Sequence, residues 1–398
     1  MTGLTSPAWQ SLVGQSDAVH TLQRAVEESR LKPPGTAMSH AWLLTGPPGA
    51  GRSTAALLFA AALECDAGGC AADSSDACAS CREVHHDTHP DVVRFNPQQL
   101  QITVDEARGL ISRAGLTPDR GAWTVMIVED ADRLNEVSGN MLLKAIEEPT
   151  PHTVWLLCAP STEDVLPTIR SRCRVLALRT PPWRDVAALL EADGVDSSMA
   201  SFAARAAQGH VGRARALAVD EQARLRRQQV LRIPLQLQSL PACFAAAADI
   251  VATATEDATA YTEPLDSVEH DELLRAYGEG ASGQGITKSR IDKLAKGAVK
   301  ELEAHQKSRR TRAVRDRLDR ALVDLLTFYR DVLVVQIGSQ VDLVNEELRP
   351  SLVRVAAESS PESIRRRLDA ITRTRRLLDS NASPQLLLEG LTVELARG

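Results

Sequence analysis

Trp42-Leu43-Leu44-Thr45-Gly46-Pro47-Pro48-Gly49-Ala50-Gly51-Arg52-Ser53-Thr54 decides how the rest of the chain is read. Its apolar lead-in predicts a buried strand. Glycines follow at 46, 49 and 51, and Ala55 to Leu63 is rich in Ala and Leu, which favour helix. Strand, glycine loop and helix start together make a phosphate cradle. The glycines let backbone N–H groups converge on phosphate oxygens, and the helix N-terminus favours negative charge. The spacing Gly46-x-x-x-x-Gly51-x-Ser53 fits the P-loop pattern, with Arg52 where that pattern has Lys. A glycine-rich turn that only starts a helix would share part of this layout. Whether the loop still handles nucleotide is decided by residues elsewhere.

Composition narrows the options. A chain of 398 residues suits two or three domains, each able to bury a core. Aromatics are 3%, too few for base-stacking platforms to dominate, and a net charge of −6 argues against coating nucleic acid with the whole surface. Met1 to Gln10 lacks a basic region followed by an apolar run, and no apolar stretch is long enough to span a bilayer. A cytoplasmic protein is expected. In that reducing setting, clustered cysteines bind metal more often than they form disulfides.

Four of the seven cysteines cluster directly after the loop helix as Cys65-x4-Cys70-x7-Cys78-x2-Cys81. Two pairs held by short Gly-, Ala-, Asp- and Ser-containing segments suit a structural zinc knuckle, because tetrahedral zinc favours four thiolates. Four unrelated thiols are the alternative. His85, His86 and His89 are nearby spare ligands that a complete sulfur shell does not need.

Further along, His89 to Phe95 reads as another strand after a turn, and Trp123 to Val128, Val154 to Ala159 and Arg174 to Leu178 read as strands, with helices over Val104 to Ala114 and Asn140 to Glu148. Alternating strand and helix over 41–178 predicts a doubly wound parallel sheet. The third apolar run ends in Glu129-Asp130. Acids at that edge are where a P-loop protein holds Mg²⁺ and polarises water; without the loop upstream they would read as solvated acids. Thr180-Pro181-Pro182 marks a boundary, and the chain beyond it is helical. The polar stretch 253–286 is expected to be a mobile or partly helical insertion. Basic residues cluster from Lys288 to Arg317 with acids interleaved, which suits a solvated helix face better than a nucleic-acid patch.

Several motifs occur in one order: Val13-Gly14-Gln15, the glycine loop, the four cysteines, His89-Pro90-Asp91, Leu142-Leu-Lys-Ala-Ile-Glu-Glu-Pro149, Ser171-Arg172-Cys173 and Asn381-Ala-Ser-Pro-Gln-Leu-Leu-Leu-Glu389. This order resembles that of the bacterial DNA polymerase III clamp-loader subunits, an AAA+ family. The resemblance covers nearly the whole chain and is strongest over 9–180. It implies an AAA+ α/β domain over 1–180 with its zinc module at 65–81, a helical lid over 181–222 and an all-α collar over 223–398. It also implies a hetero-pentameric ring with gamma/tau motor subunits and a delta subunit, acting on a sliding clamp and primer-template DNA.

Departures from the motor pattern fall on this chain's own nucleotide site. Arg52 replaces the loop lysine, and Glu129-Asp130 reverses the motor's Asp-Glu order. Ala159 stands at the first sensor position, where the motor has threonine, and Gly212 at the second, where it has arginine, with Arg213 and Arg215 close by. Ser171-Arg172-Cys173, which in the family serves a neighbour's site, is intact. The pattern therefore resembles the stator, or delta-prime, type, with Arg172 as an arginine finger in trans. Gly46, Gly49, Gly51, Arg52, Ser53, Thr54, Glu129 and Asp130 would form a degenerate site for ATP or ADP. An active motor subunit is the alternative; a DNA-binding module using the basic C-terminal helices is a third.

Overall fold

A computed structural model describes residues 7–71, 77–97, 99, 101–279, 288–378, 380 and 382–398. The chain divides into two compact units, Met1–Val219 and Asp220–Gly398.

In the first unit the elements run α1 (Ser16–Ser29), β1 (Ala41–Thr45), α2 (Arg52–Leu63), α3 (Ala79–His85), β2 (Val92–Phe95), α4 (Val104–Ala114), β3 (Thr124–Val128), α5 (Glu136–Glu147), β4 (Thr153–Ala159), α6 (Pro167–Arg170), β5 (Arg174–Ala177), α7 (Trp183–Ala192), α8 (Ser197–Ala207) and α9 (Val211–Val219). The strands form one parallel sheet in the order β2-β3-β4-β1-β5. β1, β3 and β4 are buried at every position, which explains their unbroken apolar runs: strands covered on both faces have no solvent side to mark with polar residues.

Side chains on the sheet alternate between two cores. Trp42 and Leu44 face Phe59 and the Ala-rich α2 on one side; Ala41, Leu43, Met126, Val128, Trp155 and Leu157 face Leu110, Leu142 and Ile146 on the other. Local signals fix where the helices begin. Thr103 and Glu106 form a reciprocal capping box at α4, and the Asn135 side chain accepts from Val137 N and Ser138 N at α5. Consecutive placement of β1, its glycine loop and α2 puts the cradle at the C-terminal edge of the sheet, where β3 delivers Glu129. β4 lies between those two strands and ends at Ala159, which is fully buried.

The second unit is all helical: α10 (Glu221–Arg232), α11 (Leu240–Glu279), α12 (Lys288–Gln336), α13 (Arg349–Glu358), α14 (Pro361–Leu378) and α15 (Pro384–Arg397). Leu322, Leu325, Phe328 and Val332 of α12 pack against Ile364 and Ile371 of α14 and Leu388, Leu391 and Leu395 of α15. The core also holds a polar knot. Buried Asn345 donates to Thr327 Oγ1 at 3.1 Å and Asp331 Oδ2 at 2.9 Å, and buried Arg227 lies 3.4 Å from Asp324.

One expectation left two alternatives open. Of the stretch 253–286, expected as a mobile or partly helical insertion, residues 253–279 take the helical alternative and continue α11 without a break; 280–287 lie outside the described residues. The polar composition is real, yet Ala254, Ala258 and Thr262 are buried, and Arg309 of α12 reaches Asp266 and Glu269. A helix with a partner helix beside it needs only one apolar stripe. Asn381 of the C-terminal motif also lies outside the described residues, as do the side chains of Lys288, Arg290 and Lys293 from the basic cluster.

Candidate functional site

The glycine loop takes the bends its sequence allows. Gly49 has φ +84° and Gly51, at the start of α2, has φ +94°, conformations that glycine adopts at little cost. Gly46 N donates to Pro160 O at 3.1 Å, tying the loop to the end of β4. A Cβ at Gly49 would stand 2.6 Å from the Cα of His210 and collide with its side chain, so the residue just before α9 rests directly on the loop.

Gln15 is almost fully buried beside the loop. Its Nε2 donates to Ala50 O at 3.2 Å and to Arg179 O, and its Oε1 accepts from Arg179 N at 3.1 Å. One amide thus joins the N-terminal segment, the loop and the strand exit that leads to Pro181-Pro182.

Glu129 and Ser53 meet. Ser53 Oγ donates to Glu129 Oε2 at 2.7 Å, and Arg94 Nε and Nη2 donate to Glu129 Oε1 at 3.3 and 3.2 Å. Asp130 adopts φ +48° and lies 3.5 Å from Arg133. Burial, with Asp130 beside it, holds the Asp132 carboxyl above the usual range. Arg52 Nη1 is buried and has no hydrogen-bond partner. Thr54 is exposed, as is Gly212, and Arg215 pairs with Asp193 at 3.0 Å. The structure therefore gathers Arg52, Ser53, Glu129 and Asp130 at one edge of the sheet.

Sequence reasoning missed Arg94, Gln15's contacts and His210. Arg94 was legible in principle: it is in register with Ile127, and Glu129, two residues on, shares that face. His210 carried no local signal, because its contact is made across 161 residues of sequence.

The sulfurs of Cys65, Cys70, Cys78 and Cys81 all lie within 4.8 Å of one another. Cys65 Sγ is 3.6 Å from Cys70 Sγ and 3.7 Å from Cys78 Sγ. Tetrahedral zinc with Zn–S near 2.3 Å separates its sulfurs by about 3.8 Å, so the spacing fits such an ion. Backbone N–H groups already point at sulfur, among them Cys70 N to Cys81 Sγ at 3.2 Å and Cys81 N to Cys78 Sγ at 3.4 Å, as suits a thiolate shell. Burial pushes the Cys81 thiol up; at Cys65 burial is outweighed by N–H groups of Gly69 and Ala67, and that thiol lies below its usual range.

Next to the first cysteine is a clamp built from two carboxyl groups. Asp91 accepts from the N–H groups of Asp119, Arg120 and Gly121, at 2.6, 2.9 and 2.7 Å. Glu64, next to Cys65, accepts from Ala122 and Trp123 at 2.8 and 3.2 Å. Two carboxylates thus hold the loop that feeds β3.

Arg172 lies just after α6. It pairs with Glu147 at the end of α5, and its Nη1 donates to Thr168 O at 2.8 Å and Ser171 Oγ at 3.2 Å. The side chains of Arg172 and Glu147 are 35% and 44% exposed. In the isolated chain the arginine has a local carboxylate partner and remains open to solvent.

Comparison with known proteins accords with this geometry. A family model described as DNA polymerase III, delta subunit, matches residues 14–182, and one described as DNA polymerase III, delta subunit, C terminal, matches 314–396. The DNA polymerase III subunit delta' of Bacillus subtilis (strain 168) is 24% identical over 387 residues, 96% of this chain and 97% of the relative. That of Pseudomonas aeruginosa is 37% identical over 137 residues, 34% of this chain and 42% of the relative. The gamma/tau subunit of Mycobacterium tuberculosis (strain ATCC 25618 / H37Rv) is 32% identical over 185 residues, 46% of this chain and 30% of the relative. The matched segments contain the glycine loop, the four cysteines, Ser171-Arg172-Cys173 and the C-terminal helices, and the chain belongs to the DNA polymerase III clamp-loader family, among its delta-prime and gamma/tau-like subunits.

Proposed function

We propose that the chain is the delta-prime, stator-type subunit of a DNA polymerase III clamp loader. In this reading it assembles with gamma/tau and delta subunits in a five-membered ring in the cytoplasm and helps place a sliding clamp on primed DNA. Residues 1–180 serve as the AAA+ base, 181–222 as the lid and 223–398 as the collar. Its own pocket does no hydrolysis, and Arg172 serves the pocket of a neighbour.

The observation that carries the reading is the set of contacts on Glu129. One oxygen accepts from Ser53 and the other from Arg94, which makes a charge-assisted pair with it. A water or metal ion would have to share or displace these donors, and the adjacent guanidinium opposes a cation. Arg52 adds to this, since a forked guanidinium does not replace a compact ammonium at the β- and γ-phosphates. Ala159 has no hydroxyl with which to sense the γ-phosphate.

The cysteine cluster would hold one Zn²⁺. Four thiolates leave no open position, so the ion would cross-link the knuckle and supply no catalysis.

The test compares the isolated chain with a complex reconstituted from it, gamma/tau and delta. The isolated chain should release no phosphate from ATP above background, while the complex needs it for clamp loading. Robust turnover by the pure chain, abolished by Arg52→Ala, would sink the reading in favour of a motor subunit.

A further inference from the structure

The loop between α1 and β1 is tied down from several directions. Glu28 of α1 accepts from Ala37 N and from Arg24 Nε, the latter at 3.0 Å. Arg174, the first residue of β5, donates from Nη1 to Ala37 O, and its guanidinium carbon lies 4.8 Å from the centroid of the Trp42 ring. Trp42 Nε1 in turn donates to Ser39 O at 2.8 Å. Two arginines from different elements thus converge on Ala37, one through Glu28 and one directly. The indole face holds Arg174 in place.

Beside them lies an open cavity of about 460 Å³ whose polar lining is Arg24, Thr36, Ser39, His40 and Arg174. No acidic side chain lines it among the described residues. Glu28 is already engaged: the Ala37 N–H, with Arg24 and Arg174 adding to it, holds its carboxyl below the usual range. Two guanidiniums against that one carboxylate leave an excess of positive charge. Donors remain as well. Arg24 uses Nε and Arg174 uses Nη1 in these contacts, so each guanidinium keeps two further nitrogens with N–H groups to offer.

The cavity stands at the N-terminal edge of the sheet, where β1 and β5 begin. The glycine loop follows β1 at the opposite edge, which is where α/β folds ordinarily place their ligands. An anion is the chemistry that suits the cavity. A carboxylate offers two oxygens in one plane, whereas a phosphate offers oxygens around a tetrahedron. Two forked donors arriving from α1 and β5, with the Thr36 hydroxyl in the same lining, match the second better. We propose that this cavity is a phosphate-binding site held by Arg24 and Arg174, for a phosphate group that is either free or carried on a DNA strand. Two charge-assisted contacts open to solvent correspond to a Kd on the order of 1 mM.

The test uses the full chain and phenylglyoxal, which modifies arginine, with each modified residue identified by peptide mass spectrometry. Pyrophosphate, oligothymidylate and poly-glutamate are added in turn, at an ionic strength held constant with chloride. A phosphate probe should slow the labelling of Arg24 and Arg174 with one shared midpoint. Protection by pyrophosphate identifies a site for free phosphate, and protection by oligothymidylate alone identifies a site for a strand. Arg108, 66% exposed on α4, should label at an unchanged rate, and Arg52 reports the glycine loop separately. Arg174→Gln, its fold checked by a melting curve, should raise the midpoint for Arg24 at least about 10-fold, the contribution of one charge-assisted bond. Arg24→Gln, a change at an exposed position of α1, should do the same for Arg174. Labelling of both arginines that ignores pyrophosphate and oligothymidylate would overturn the site. So would equal slowing at Arg108, stronger protection by poly-glutamate, or protection that persists unchanged in either folded variant.

Discussion

Arg172 and Glu147 make a two-sided test of the trans role. Their pair is partly solvated, 35% and 44% exposed, so it is worth at most about 1 kcal/mol. Releasing the arginine from Glu147 therefore costs about fivefold in availability at most. A trans arginine contributes about 10³–10⁵-fold where such groups have been measured on GTPases. The benefit at a neighbour's phosphate exceeds the cost of leaving the local carboxylate by at least two orders of magnitude. Arg172→Ala should leave assembly intact and abolish the share of clamp- and DNA-stimulated ATP turnover that belongs to the one site it serves. Glu147→Gln should leave turnover unchanged or raise it, by no more than about fivefold. Arg172→Lys should recover little, because a point charge does not reproduce the two-pronged donor. The assay is steady-state phosphate release by the reconstituted complex, with assembly followed by size-exclusion chromatography. If the Ala variant assembles and turns over like wild type, the trans role is wrong. If Glu147→Gln reproduces the loss, the pair is a structural staple instead.

Protein purified without added metal should carry one equivalent of zinc by elemental analysis, and Cys78→Ser/Cys81→Ser should lose it; retention in the double variant refutes the assignment. Burial pushes Glu64 up to about 7 from 4.5, against the amides of Ala122 and Trp123. A carboxyl raised on folding stabilises while protonated, so its contribution is complete below pH 4.5 and lost as pH rises through about 7, on the order of 3 kcal/mol in all. Denaturation midpoints measured across that window should fall with rising pH, less steeply in Glu64→Gln; equal slopes would dismiss the shift. Gly49→Ala adds a Cβ at positive φ against His210 and should cost at least about 2 kcal/mol in chemical denaturation, whereas an unchanged midpoint would mean that the His210 contact is loose.

The sheet was legible because its three central strands, β1, β3 and β4, are buried at every position, so Trp123 to Val128 and Val154 to Ala159 run almost wholly apolar. The glycine loop was legible because its bends demand particular residues at particular spacings. α11 was only half legible for the converse reason: over 253–279 it packs beside α12, and a helix supported from one side keeps polar residues on the rest of its surface. The cysteine cluster could be read from spacing alone, since short loops determine which sulfurs meet. The partner of Glu129 could not be read that way, as Arg94 arrives from a different strand and only the strand register relates the two. Glu147 beside Arg172 is of the same kind: two residues in separate motifs, brought together by the packing of α5 and α6.

Gln15 has a mechanical consequence. Its amide fastens Ala50 in the glycine loop to Arg179 at the sheet exit, and Pro181-Pro182 follow at once. Proline fixes φ, so this short connector has little slack with which to absorb a twist. A torque applied to α7, α8 and α9 would arrive at Ala50 with small loss, and a displacement of the loop would be felt in return by those helices. Such a joint behaves as a bracket and not as a bearing: it gives neighbouring parts a fixed angle to push against.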